Sequence, residues 1–111
     1  MKFSVSLKNN FEFRRLYAKG KSVASPYAVV YCRKNRGAQN RLGLTVSTKI
    51  GKAVCRNRIR RRFKEIYRLH ENQLTPGFDI VIVARTRSRT ARFQELEADF
   101  LKCCQRLGIT H

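Results

Sequence analysis

Residues 78–84 read FDIVIVA. In a strand, successive side chains point to opposite faces, so Ile80, Val81, Ile82 and Val83 make both faces apolar, and both need cover. A run of this kind is the central strand of a sheet, and the rest of the chain must supply strands to flank it and helices to shield it. The chain has 111 residues. That is enough for one such core but too little for two independent ones, so residues 1–111 read as a single domain.

The flanking segments supply those elements. Residues 9–20, NNFEFRRLYAKG, offer asparagine caps, apolar positions Phe13, Leu16 and Tyr17 at helical spacing, and a closing glycine suited to a left-handed cap. Pro26 ends any helix before YAVVYCR (residues 27–33), whose β-branched and aromatic content predicts a strand. RLGLTVS (residues 41–47) alternates Leu42, Leu44 and Val46 with small or polar residues, the pattern of a half-buried strand, and the polar KNRGAQN between the two suggests a hairpin. A basic helix then extends to about His70. After FDIVIVA, the positions Phe93, Leu96, Phe100, Cys104 and Leu107 recur at helical spacing before Gly108, with Ser88 or Thr90 available as the cap. The expectation is an α+β sheet packed by helices, in the order α-β-β-β-α-β-α.

The basic helix is AVCRNRIRRRFKEIYR (residues 53–68), with six arginines and one lysine against a single acid. At about 100° per residue, Ile59, Phe63 and Ile66 share one face, flanked by Tyr67 and Leu69, and this face should dock on the sheet. Asn57, Arg61, Lys64 and Arg68 run down the opposite side, with Arg58, Arg60 and Arg62 on its margins. Most of these cations lie in the first half of the helix, where the macrodipole is already positive and each costs about 0.3 kcal/mol. Like-charge neighbours at i, i+4 add about 0.2–0.5 kcal/mol each. A polyanion reverses the sign of both penalties. Arginine forks match phosphate oxygens bidentately, so the bias toward arginine favours phosphate over diffuse negative charge. The whole chain carries 25 Lys and Arg against 7 acids, a formal charge of +18, which points the same way. Arg85, Arg87, Arg89 and Arg92, in the segment after the central strand, either widen this field or serve solubility alone.

Phe11, Phe13, Tyr17, Tyr27 and Tyr31 bring aromatic rings close to this charge, and unpaired bases stack on such rings without sequence preference. Together with the charge they favour single-stranded RNA over a purely structural role. A protein nuclease needs clustered carboxylates for metal ions or a placed histidine. The seven acids Glu12, Glu65, Glu71, Asp79, Glu95, Glu97 and Asp99 form no such motif, and Glu97 should point away from Glu95 and Asp99 on their shared helix. No catalytic residue and no metal ligand is therefore assigned. Cys32, Cys55, Cys103 and Cys104 show no paired spacing and read as reduced thiols in or near the core. No run approaches the ~18 apolar residues of a membrane span, and the N-terminus has no secretory pattern, so the expectation is a cytoplasmic protein.

The segment KIGKAVCRNRIRRRFKEIYR, with Arg56, Asn57 and Arg58 at its centre, resembles the signature of the protein subunit of bacterial ribonuclease P. The likeness extends to FEFRRLYAKGKSVASPYAVVY, RLGLTVSTKIG and PGFDIVIVAR, and so covers about Leu7 to Arg106. It implies an α+β two-layer sandwich, ribosomal protein S5 domain 2-like, with a left-handed βαβ crossover made by the strand near Thr45, the basic helix and the strand around Val81. It also implies a non-catalytic subunit. A large catalytic RNA, using Mg²⁺ that it holds mainly itself, removes the 5′ leader of precursor tRNA, and one protein is expected per RNA. By motif match, Arg56, Asn57, Arg58, Arg60, Arg61, Lys64 and Arg68 would contact the catalytic RNA. Phe13, Tyr17 and Tyr31, with Lys49 beside them, would bind the leader. Relatives commonly carry Phe in place of Tyr17 and Lys in place of Arg60, changes that keep the ring and the charge. A structural RNA-binding protein of ribosomal type is the alternative, and an autonomous nuclease a third reading.

Overall fold

The FDIVIVA run occupies the centre of a five-stranded sheet. The structure, a computed structural model, describes residues 4–6 and 10–111, with side chains from Asn10 onward. Its elements are β1 (Ser4–Ser6), α1 (Asn10–Lys19), β2 (Lys21–Ala24), β3 (Ala28–Lys34), β4 (Asn40–Thr45), α2 (Ala53–His70), β5 (Phe78–Ala84) and α3 (Phe93–Leu107). From α1 onward this is the order expected from the sequence. It is preceded by β1, which pairs parallel with β4, Val5 opposite Arg41. Three residues carry too little pattern to predict such a strand.

The strand order is β1-β4-β5-β3-β2. The expected hairpin between the segments at 27–33 and 41–47 therefore does not form. β5 inserts between them, antiparallel to β3 and parallel to β4, and the hairpin partner of β3 is β2. The physical reason is the two-faced apolarity of β5, which excludes it from an edge. β4, α2 and β5 make the parallel crossover unit, with Gly43 opposite Val81 and Thr45 opposite Val83.

Alternation along β5 sends its side chains to two cores. Ile80, Ile82 and Ala84 join the larger core with Ala28, Val30 and Cys32 of β3, under Ile59, Phe63, Ile66 and Tyr67 of α2 and Leu96, Phe100, Cys103 and Cys104 of α3. These are the two layers of the sandwich. On the other face Val81 meets Leu16 of α1, with Phe13, Tyr31 and Val83 around them. A single short helix leaves much of that face uncovered. Cys32, Cys103 and Cys104 are buried, Cys55 is half-buried, and all four are free thiols, with burial pushing Cys104 up to about 12.

Several local expectations change. The asparagine cap at Asn9 lies outside the described residues. Gly20 is not left-handed. It is needed for close approach, since a Cβ there would sit 2.7 Å from the Leu16 carbonyl oxygen and 2.9 Å from that of Cys32. The glycine that closes a helix in the left-handed region is Gly108, at φ 74°, at the end of α3 as the sequence indicates. Neither Ser88 nor Thr90 caps α3. Ser88 is buried in the short turn Thr86–Arg89, and the helix begins after Arg92, whose N–H donates to Glu95 Oε1 at 2.9 Å. Leu69, placed on the docking flank by the helical wheel, is instead exposed, because the buried arc is centred between Phe63 and Ile66 and Tyr67 takes its far side.

Candidate nucleic-acid interface

Burial of Ile59, Phe63, Ile66 and Tyr67 fixes which way α2 faces. Asn57, Arg61, Lys64 and Arg68 consequently stand exposed along its outer side, with Arg58 beside them. The first turn of α2 contains no acid, and Lys52 at its N-cap makes no side-chain capping bond, so the positive end of the helix is uncompensated. Among the described residues no carboxylate pairs with Arg56, Arg58, Arg60, Arg61 or Lys64. The guanidinium of Arg60 donates to Asn57 Oδ1 at 3.2 Å, and that of Arg58 reaches the Arg89 carbonyl oxygen at 3.4 Å. Arg62 is tied down more firmly, donating to the Ala91 carbonyl oxygen at 2.9 Å. Val54, Asn57, Arg60, Arg61 and Lys64 together line a shallow groove on this surface.

Two members of the expected set stand differently. Arg68 donates from Nε to Glu65 Oε2 at 3.0 Å and from Nη2 to Oε1, so part of its charge is already matched. This bonding holds the Glu65 carboxyl below its usual range and raises Arg68. Arg56 lies three residues before Ile59, on the sheet-facing flank, and its Nε is buried with no partner among the described residues.

A second feature opens between α1, β4 and α2. Asn10, Phe13, Arg14, Tyr17, Leu44, Thr45 and Arg60 line a cleft of about 670 Å³. Phe13 and Tyr17 lie 6.4 Å apart between ring centroids, and Tyr17 meets Tyr31 edge-on at 4.9 Å. The Tyr17 hydroxyl is 3.2 Å from Thr45 Oγ1, which holds the ring upright while leaving it 40% exposed. Phe13 rests on the sheet at Gly43, where a Cβ would fall 2.6 Å from its Cζ. Any larger residue there would lift the ring off the sheet. Arg60 lines both cleft and groove, so the aromatic surface and the cationic ridge are continuous.

What ties α1 to the sheet is a half-buried clamp that the sequence does not announce. Arg41 donates from Nε and Nη2 to the two oxygens of Asp79, both at 2.7 Å, and from Nη1 to Glu12 Oε1 at 2.9 Å. Asn35 Nδ2 adds a bond to Asp79 Oδ1 at 3.0 Å. The Asp79 side chain is only 10% exposed, and its bonds to Arg41 raise the guanidinium above its ordinary value. β4, β5 and α1 are thereby fixed to one another, although none of the clamp residues itself lines the cleft.

Comparison with known proteins sorts these features. A family model described as Ribonuclease P matches residues 1–108. The chain belongs to the ribonuclease P family. The ribonuclease P protein component of Clostridioides difficile (strain 630) is 42% identical over 105 residues, 94% of this chain and 92% of that protein. That of Thermoanaerobacter sp. (strain X514) is 43% identical over 98 residues, 88% of this chain and 84% of the relative. Among solved structures, the RNase P protein of Staphylococcus aureus superposes with a TM-score of 0.88 at 31% identity, covering 96% of this chain and 97% of that one. The Thermotoga maritima protein gives 0.84 at 32% identity, covering 91% and 96%.

Within this ribonuclease P fold, Phe13, Tyr17 and Tyr31 form one contiguous ring cluster, of which Phe13 and Tyr17 line the cleft, while Tyr31, behind Tyr17, and Lys49, exposed on the turn Thr48–Ile50, do not. Phe11 and Tyr27 leave the aromatic set. Phe11 is on the far side of α1 with the Arg15 guanidinium 4.8 Å from its ring, and the Tyr27 hydroxyl donates to Glu95. Asn10, Arg14 and Thr45 are the cleft residues that sequence reasoning missed. The helical wheel offers a signal for Arg14, which precedes Tyr17 by three positions. The loop arginines adjoin the ridge by backbone contact, since Arg58 and Arg62 reach the carbonyls of Arg89 and Ala91. The acids are used structurally. Glu97 meets His70 Nε2 at 2.8 Å, whereas Asp99 and Glu95 turn the other way, to Ser25 and Tyr27. Among the described residues no three His, Cys, Asp or Glu side chains converge to hold a metal ion. No helix among them is long and apolar enough to cross a membrane.

Proposed function

We propose that the chain acts as the protein component of ribonuclease P, with the α2 ridge held against the catalytic RNA and the aromatic cleft holding the 5′ leader of precursor tRNA. The observation that carries this reading is the continuity of the two surfaces through Arg60, which lines both. A single RNA-bound protein can then grip ribozyme phosphates and an unpaired strand at once. Neutralising exposed arginines releases condensed counterions, and this supplies affinity without sequence preference. In the cleft, Phe13 and Tyr17 offer stacking faces, with Tyr31 packed edge-on behind Tyr17, and Arg14 and Arg60 are placed to meet the phosphates between the bases.

The chemistry of cutting belongs to the RNA. A cationic ridge without a carboxylate cluster does not fit a divalent cation, so Mg²⁺ is assigned to the RNA, and the protein's part is to bind, orient and neutralise. Asn57, Arg58, Arg60, Arg61 and Lys64 form the catalytic-RNA contact in this reading, with Arg56 contributing less because it is half-buried on the sheet-facing flank and Arg68 less because Glu65 occupies it. Lys49 would meet RNA from outside the cleft. We assign a 1:1 complex working in the cytoplasm.

The direct test is leader removal from precursor tRNA by the catalytic RNA at limiting Mg²⁺, with and without the protein. Enhancement is expected. Protein that binds RNA without enhancing cleavage would favour the ribosomal-type alternative. Arg61→Ala is expected to weaken RNA binding and to lower the slope of log K against log salt by about one unit, read from binding isotherms at several salt concentrations. Tyr17→Ala is expected to cost about 1–3 kcal/mol of affinity for precursor tRNA, the value of one stacked base, and none for mature tRNA. Equal losses for the two would place the ring's role in packing.

A further inference from the structure

A third recess lies away from both surfaces, where the end of α1, the start of β2, the end of β3 and the end of α3 meet. It encloses about 380 Å³, within the usual range for small-ligand pockets, and is more closed than the aromatic cleft. Its floor is apolar: Cys32 and Leu107 are buried, and Phe78 packs against the larger core. Its rim is Lys19, Lys21, Arg33 and Lys34. Among the described residues none of these four pairs with a carboxylate. The recess shares no lining residue with the cleft or the groove.

Four unmatched cations from three successive segments around one depression repel one another, and solubility alone would spread them apart. We infer that this recess binds a nucleotide unit of RNA, its base against the Phe78–Leu107 floor and its phosphate against Lys19, Lys21, Arg33 and Lys34. A flat base suits a shallow apolar floor, and a doubly charged terminal phosphate meets both the arginine fork and the lysine ammonium groups. An aliphatic anion would use the rim equally well but would not gain from a ring on the floor. The inference does not depend on the ribonuclease P assignment, because free nucleotide is a sufficient probe.

The experiment is a titration of the isotope-labelled full chain, followed through backbone amide resonances at low salt, with adenosine 5′-monophosphate, inorganic phosphate and adenosine in parallel. The monophosphate should shift the amides of Lys21, Cys32, Arg33, Lys34, Phe78 and Gly108 saturably, at concentrations at which neither phosphate nor adenosine does. Lys19→Gln/Lys21→Gln/Lys34→Gln should weaken this binding about tenfold or more, as expected when most of a phosphate's charged partners are removed. These side chains are exposed, so the parent spectrum should otherwise be kept. Shifts confined to the aromatic cleft, equal shifts with inorganic phosphate, or unchanged binding by the triple variant would each overturn the inference. Leader removal, measured separately, reports on the function proposed above and is independent of this result.

Discussion

Phe63→Ala is expected to lower the free energy of unfolding by about 4 kcal/mol, read from denaturant midpoints at constant slope. Phe63 is 2% exposed and lies in the larger core between α2 and the sheet, so its removal leaves a cavity the neighbouring Ile59, Ile66 and Tyr67 cannot close. The loss is a large share of the typical 5–15 kcal/mol of a small domain. It also undercuts the ridge, since α2 carries its arginines outward only while its apolar face is seated. A polyanion that binds the folded form should therefore recover part of the loss, by an amount growing with the logarithm of its concentration. A variant unaffected by such a ligand would separate the ridge from the stability of the fold.

Arg41→Met should cost about 3 kcal/mol, because it strands the carboxylate of Asp79 in a site only 10% exposed, with Asn35 as its remaining side-chain partner. The Arg41 side chain is itself 34% exposed, which places the expectation at the low end of the range for a broken buried pair. Glu12 loses its partner as well, so α1 should loosen from the sheet. Arg41→Met/Asp79→Leu should recover much of the loss in stability, since no charge is then left buried. It should not restore the hold on α1. Leader affinity would stay reduced in the double variant although its unfolding midpoint recovers, and a parallel recovery of both would show that the clamp serves stability alone.

Much of this architecture can be read from periodicity. FDIVIVA declares a central strand, and it is central. The wheel of α2 separates Phe63 from Arg61 correctly because a helix this amphipathic has one way to dock. What periodicity does not contain is pairing. Nothing in YAVVYCR or RLGLTVS says that β5, made more than thirty residues later, will come between them, because that choice is made by the tertiary need to cover both faces of β5. Short elements such as β1 escape because three residues hold no period. The cleft was half legible: Phe13 and Tyr17 carry the chemistry in their rings, with Tyr31 packed behind them. Phe11 and Tyr27 have the same chemistry, and only their position on the elements removes them. The Arg41–Asp79–Glu12 clamp joins residues far apart in sequence, each of which looks like an ordinary surface charge until the sheet brings them together.

The insertion of β5 between β3 and β4 also sets an order of events for the growing chain. Until residue 84 has been made, the strand that joins the β2–β3 pair to the β1–β4 pair is missing, and the sheet cannot close. The arginine-rich segment is translated before the strand that gives it a floor, so it emerges from the ribosome unsupported and strongly positive, beside the ribosome's own RNA. A nascent chain halted before β5 should behave as a sticky polycation, and release from that state should coincide with the arrival of the middle strand.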